Sequence, residues 1–379
     1  MFQGTLDAAF LSLCLLVAIR VFKAHNFTKS IMMAFVWVGG LLAPLLTRLA
    51  ARTNFRAAYI GTMLFCFAAC CFVGAAFAQT FPLVLFFIAA ASIFYRAEGA
   101  VLISIYVDNY SANQRASRAA LGLTLSALFA VIFGHACGHI LDIDLSYYRF
   151  LFLFVALSAC MSGLCLTGIP TSPVRRPENR NVSYISYLFR DKLFGLLTLY
   201  FTAIGFVYQM LIPVRMEFLA NECYGLNLTN GMVMLLSCVV PNVARVLSIQ
   251  IIGFLFDRIS LVSIRLLVNL IFFIGVVAFF NGHSFFALTV GSIFLGIAMA
   301  GSFVLHGLWM TKFAPKEMLP AYASVYMLAT GIRSVFAPIV GYILLSANYS
   351  PTFVGNASAL VIILASIGFW SLRRDPALH

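Results

Sequence analysis

Residues 171–192 read TSPVRRPENRNVSYISYLFRDK. This is the longest polar stretch in the chain, and apolar runs fill the sequence on both sides of it. Of 379 residues, 63% are hydrophobic and only 9% are charged, with a mean hydropathy of +1.00. A soluble domain is about 45–50% apolar and about 25% charged. A chain of this composition cannot cover itself with polar surface, so lipid has to be its solvent. At about 20 residues per crossing, plus short connections, there is room for about 12 helices.

Working outward from residues 171–192, polar and turn residues divide the apolar sequence into twelve spans. They fall near 3–24, 30–50, 55–78, 81–107, 118–141 and 147–168 on one side. On the other they fall near 193–217, 229–253, 261–281, 284–310, 320–346 and 352–372. The expected organisation is an N-terminal six-helix bundle over 1–170, a cytoplasmic linker over 171–192 and a C-terminal six-helix bundle over 193–379. The start, MFQGTLDAAF, has no basic segment and no small-residue cleavage site, so the first span is expected to be an uncleaved anchor.

The net charge of +12 would suggest a nucleic-acid partner in a soluble protein. Here the basic residues collect in the short connections, where they set membrane orientation instead. One side gathers Arg48, Arg52, Arg56, Arg115, Arg118, the five of the central stretch, Arg258, Arg265, Lys312, Lys316, Arg373 and Arg374. The opposite side has Lys23, Lys29, Arg149 and Arg215. The bias places both termini and residues 171–192 in the cytoplasm. The cysteines lie mostly inside apolar runs without a CxxC pair, and read as small packing residues.

Two segments occupy equivalent places in the halves, each between a second and a third span. The later copy runs Gly253-Phe-Leu-Phe-Asp257-Arg258, followed by Arg265. The earlier runs PLLTRLAAR from Pro44 to Arg52, followed by Arg56. They resemble the G-x-L-x-D-R-x-G-R-R loop of the major facilitator superfamily (MFS). Tyr95-Arg96-Ala-Glu98-Gly99, running into Asp108–Arg118, is similar to that family's fourth helix and following loop. Phe313–Gly341 is similar to its helices 10 and 11. The first copy departs from the pattern, with Thr47 at the glycine position and Ala51 at the aspartate position.

The resemblance implies an all-α fold of 12 transmembrane helices, with two six-helix bundles around a central cavity. It also implies alternating access. Gly253, Asp257, Arg258, Arg265 and Arg52 are then expected to act as a conformational gate. An aspartate beside a helix N-terminus can accept its free N–H groups, and nearby arginines can hold it in one state. The resemblance further implies that spans 1, 4, 7 and 10 line the cavity and that 2, 5, 8 and 11 flank it.

A charge at the bilayer centre costs at least ~2.5–3.5 kcal/mol. It therefore needs a partner, water or a ligand. Arg20 and Asp7 lie in span 1, Arg96 and Glu98 in span 4, Arg245 in span 8 and Arg333 in span 11. The balance is positive, and a guanidinium fork suits carboxylate or phosphate. Arg96, Arg333, Arg245 and Arg20 are the expected substrate-binding arginines, with Tyr208 and Gln209 of span 7 beside them. Glu98 and Asp7 are the expected proton-coupling acids, with a fixed Glu98–Arg96 ion pair as the alternative.

His135 and His139 share a helix face at i and i+4 and make a weak metal candidate. Gly134 and Gly138 in the same stretch read as a close-packing pair, and no metal is expected there. His306 reads as hydrogen-bonded within its bundle.

Together these features lead us to expect a secondary transporter that moves a small anionic or zwitterionic organic solute, coupled to protons, as a monomer in a bacterial inner membrane. Its partners would be that solute, protons and membrane lipid, without nucleic acid or cofactor and without catalytic residues. An exporter or flippase of amphipathic molecules is one alternative. A transporter-like receptor is another, more remote.

Overall fold

A computed structural model of the chain describes all residues except Met1, Ala51, Asn54, 174–186, Lys316, Glu317, Pro376, Ala377 and His379. Most of the expected linker, including Arg175, Arg176 and Arg180, lies outside the described residues, as does Lys316. So does Ala51 of the first loop copy, and the side chains of Pro44, Thr47, Arg48 and Arg115 are likewise outside them.

In lipid every backbone polar group must be satisfied within the chain, which leaves the helix as the natural element for these apolar runs. The described residues form α1 (Gln3–Arg20), α2 (Asn26–Ala50), α3 (Ala57–Phe77), α4 (Phe81–Asn109), α5 (Ala112–Ile143) and α6 (Tyr148–Thr167). After a single turn at Tyr187–Arg190 come α7 (Lys192–Ala220), α8 (Asn230–Arg258), α9 (Leu261–Asn281), α10 (Phe285–Leu308), α11 (Leu319–Ser346) and α12 (Pro351–Ser371). Eleven of these helices are long and apolar enough to cross a membrane. The remaining one, α2, has its apolar stretch in Asn26–Leu42. No named strand occurs among the described residues, where only an isolated bridge joins Arg56 and Pro173.

The helix ends are marked by local chemistry. Thr229, Ser260, Ser284 and Ser350 cap α8, α9, α10 and α12 through side-chain oxygens that accept first-turn N–H groups. Asp191 does the same for α7, accepting the N–H of Phe194 at 3.0 Å. Two helices contain a π-turn, Ala9–Leu13 in α1 and Leu235–Val239 in α8.

The chain divides into two compact units. The first comprises Met1–Arg180 with Leu219–Cys238, and the second Asn181–Phe218 with Val239–His379. In the first, α3 packs on α4 and α6, α2 on α4, α1 on α5 and α6, and the start of α8 on α5. Gly138 of α5 permits that last approach, because a Cβ there would fall 2.7 Å from Gly231 Cα. In the second unit, α9 packs on α10 and α12, and α8 on α10. Phe77, Phe86, Ile132, Leu247 and Phe286 stand exposed on helix faces, where lipid is their natural solvent.

Several basic residues counted with the connections lie within helices. Lys29 is buried in α2, Arg215 belongs to α7 and Arg265 is buried in α9.

Candidate functional site

The first unit gathers charge where α1, α2 and α4 meet. Arg96 Nη1 lies 3.5 Å from Asp7 Oδ1, a loose ion pair with side chains about a quarter and two-fifths exposed. Its guanidinium sits over two aromatic faces, 4.7 Å from the Trp37 ring and 5.3 Å from that of Tyr95. Such placement holds a cation without neutralising it. Arg96 Nε is buried and has no acceptor among the described residues. A guanidinium carries five N–H donors, and among the described residues the loose contact with Asp7 is the one polar partner of this fork.

Glu98 does not face Arg96, since residues two apart on a helix point to different sides. Its carboxylate is 4% exposed, and the Gln3 amide donates to both oxygens at 3.3 Å. Gln3 also accepts from the Tyr95 hydroxyl at its carbonyl, 3.3 Å away. Asp7, Arg96, Glu98 and Gln3 thus form one polar cluster in an otherwise apolar bundle. The π-turn that follows Asp7 in α1 is a feature often found at functional positions. Arg20 is engaged elsewhere, with Nη1 3.1 Å from Glu222 Oε1 and Nη2 donating to the Leu228 carbonyl at 2.9 Å.

In the second unit, Arg333 Nη1 donates to the Phe201 carbonyl at 2.7 Å, and its Nε is buried without an acceptor. Gly205 makes room for it, since a Cβ there would fall 2.1 Å from Arg333 Cζ. One turn further along α7, Gln209 Nε2 donates to Ser334 Oγ at 3.3 Å. Arg245 of α8 interacts electrostatically with Tyr208, whose ring packs 6.0 Å from that of Phe272.

The expected gate residues have unlike surroundings. A Cβ at Gly253 would meet nothing, and Asp257 is exposed without a partner among the described residues. Arg258 lies 3.9 Å above the Phe254 ring, and Arg52 is exposed. Arg265 is nowhere near the surface. It is 3% exposed, with its guanidinium over the rings of Phe201 at 4.5 Å and Phe369 at 5.7 Å. His135 and His139 contact edge-on at 4.6 Å, and no group of three metal ligands occurs among the described residues. His306 Nδ1 lies 3.0 Å from the Tyr326 hydroxyl.

The family model described as Major Facilitator Superfamily matches residues 5–248 and 238–379, nearly the whole chain. The chain belongs to this superfamily. It is therefore a multi-pass integral membrane transporter, a carrier of small molecules. Solved MFS structures share its fold. A point mutant of the nucleoside transporter NupG is 13% identical with a TM-score of 0.76, covering 98% of this chain and 96% of that one. A bacterial homologue of the human lysosomal transporter Spinster, in an inward-facing and occupied conformation, is 15% identical with a TM-score of 0.67. It covers 98% of this chain and 94% of its own. No curated protein matches the sequence.

Several polar partners in this MFS chain gave little signal in the sequence. Gln3 and Trp37 carry no charge to flag them. Glu217, at the end of its apolar run, is 1% exposed and accepts the Tyr342 hydroxyl at 3.0 Å. An acid just inside a span boundary was the signal available there.

Proposed function

We propose that this transporter carries a small organic anion or zwitterion by alternating access, exchanging protons at Glu98 and Asp7. The observation that carries this reading is Arg96. It is held on Trp37 and Tyr95, only loosely paired with Asp7, and has a buried Nε without an acceptor among the described residues. A cation kept in a membrane bundle with spare donors needs an acceptor-rich ligand to balance it. A carboxylate or phosphate on the solute meets that need through two parallel hydrogen bonds.

Glu98 supports the coupled form of the reading. No cation lies within ion-pair distance of it among the described residues, so a proton is the natural balance for its charge. Asp7 connects the two roles. A solute anion that takes Arg96 from Asp7 releases a carboxylate that can bind a proton. Two six-helix halves, each presenting its face in turn, would then move solute and proton together, with both termini in the cytoplasm. The nucleoside of NupG is neutral and would leave the Arg96 charge unmatched, and likeness at this identity extends to fold alone.

The test is uptake into proteoliposomes. Labelled carboxylates, amino acids and phosphate esters are compared with nucleosides and alkylammonium ions, with and without an imposed proton gradient. Transport is expected for anionic or zwitterionic solutes and should respond to the gradient. Transport of a neutral or cationic solute that survives Arg96→Ala at the wild-type rate would sink the proposal.

A further inference from the structure

The second unit contains a set of buried hydrogen-bond donors that no described residue satisfies. Arg265 Nε, Arg333 Nε and the Trp309 indole Nε1 are each buried without an acceptor among the described residues. They belong to one aromatic cluster. The Phe201 ring lies 4.7 Å from that of Trp309 and 4.5 Å from Arg265 Cζ, and the Phe201 carbonyl holds Arg333 Nη1. Tyr326 closes the other side, 5.3 Å from Trp309 and 5.8 Å from Arg333 Cζ, with its hydroxyl on His306.

Charge is as unbalanced as hydrogen bonding. Arg265 and Arg333 are near enough to repel each other, and both bear on His306. No described carboxylate pairs with either. Asp191 is taken by Tyr322 and the start of α7, Glu217 by Tyr342, and Asp257 is exposed at the end of α8. A buried donor with no acceptor typically costs about 1–3 kcal/mol, and more when it is charged. Three within one cluster, two of them on arginines, is not an arrangement that packing alone favours.

We infer that Arg265, Arg333 and Trp309 form a binding site for an oxyanion group, a carboxylate or a phosphate. Such a group supplies two or three oxygens to donors that otherwise have none, and its charge offsets the two guanidiniums. Phe201, Phe369 and Tyr326 exclude water from around it and strengthen each charged hydrogen bond. The oxyanion can belong to a soluble solute or to the headgroup of an anionic lipid. The site lies wholly in the second unit and is read by equilibrium binding. It therefore stands or falls separately from the transport reading, which rests on Arg96.

The experiment uses the purified full chain in detergent, stripped of native lipid. Its melting temperature is followed against inorganic phosphate and citrate, with chloride at equal ionic strength as control. The expected result is a saturable rise with phosphate or citrate that chloride does not give. Arg265→Gln and Arg333→Gln should each raise the half-effect concentration roughly ten- to a hundred-fold. Arg265→Lys keeps the charge but not the fork, and Trp309→Phe removes only the indole N–H. Both should weaken the response even if the glutamine variants fail to fold. Absence of a saturable rise in the wild type overturns the site. So does an unchanged half-effect concentration in both Arg265→Lys and Trp309→Phe. Repeating the titration in phosphatidylcholine nanodiscs with and without phosphatidylglycerol identifies the source. A phosphate response weakened only by phosphatidylglycerol supports the site as one for a lipid headgroup, and an unaltered response supports it as one for a soluble anion.

Discussion

Asp142, near the end of α5, accepts the backbone N–H of Asn230 at 2.6 Å and that of Gly231 at 2.9 Å, at the first turn of α8. The residues are 88 and 89 positions apart in the chain. First-turn N–H groups have no partner within their own helix, and the helix dipole makes that end positive. Asn230 Nδ2 returns a bond to the Leu141 carbonyl at 3.0 Å, so the two helix ends exchange bonds.

Losing such a cap typically costs about 0.5–2 kcal/mol. Asp142→Ala should therefore lower the melting temperature measurably, and Asp142→Asn should lower it less, since an amide oxygen still accepts one bond. Equal melting temperatures for wild type and Asp142→Ala would show that these bonds contribute nothing to stability.

Arg96 offers a sharper test, because binding and stability separate. Loss of a charged hydrogen bond of about 1.5–3 kcal/mol corresponds to roughly ten- to a hundred-fold in affinity. Arg96→Ala should lose that much for the transported anion, and Arg96→Lys somewhat less, with near-normal melting temperatures. An arginine that only supports the bundle would give the reverse pattern, with lowered stability and normal affinity.

Much of the fold was legible because lipid allows so few solutions. Twelve apolar runs separated by turn residues become twelve helices, and the intramembrane charges of the first unit fall on α1 and α4, where Asp7 and Arg96 meet. Pairing was less legible. Glu98 could have been joined to Arg96 by proximity in sequence, yet helix geometry sends it to Gln3, a residue with no charge to flag it. Arg265 reads in the sequence as part of the gate loop because it follows Arg258 closely. A buried arginine held on aromatic faces carries no local mark, since its partners Phe201 and Phe369 are distant in sequence and common in type.

Gly205 and Arg333 provide a stability test within the second unit. A methyl group at 205 would overlap the guanidinium, 2.1 Å from Cζ and 2.2 Å from Nη1. Arg333 would have to leave the Phe201 carbonyl, at a cost of about 1.5–3 kcal/mol for a hydrogen bond from a charged donor. Gly205→Ala should destabilise the wild type but add little in an Arg333→Gln background, where the clash is reduced and the bond is already gone. Additive effects in this cycle would mean that the two residues act independently.

Orientation can be tested chemically. In a background with the nine native cysteines replaced, Arg176→Cys should react with an impermeant maleimide only from the cytoplasmic side. Ser350→Cys, at the start of α12, should react only from the opposite side. The excess of basic residues in alternate connections predicts this arrangement, and labelling of both from one side would contradict it.

Coupling depends on Glu98. Its carboxylate is buried in α4 and, among the described residues, accepts hydrogen bonds only from the Gln3 amide, with no cation at ion-pair distance. Glutamine at this position keeps the shape and an acceptor oxygen but cannot exchange a proton. If Glu98 carries the coupled proton, wild-type proteoliposomes should transport faster under a proton gradient. Glu98→Gln should lose that acceleration while still exchanging labelled for unlabelled solute, a step that needs no net proton movement. A melting temperature near the wild-type value would exclude a packing effect, and Gln3→Leu should leave coupling in place because it removes only a neutral donor. Should Glu98→Gln respond to the gradient as the wild type does, the proton is carried elsewhere. Asp7, the other acid of this cluster, would then be the residue to replace, and Asp7→Asn should lose the gradient response.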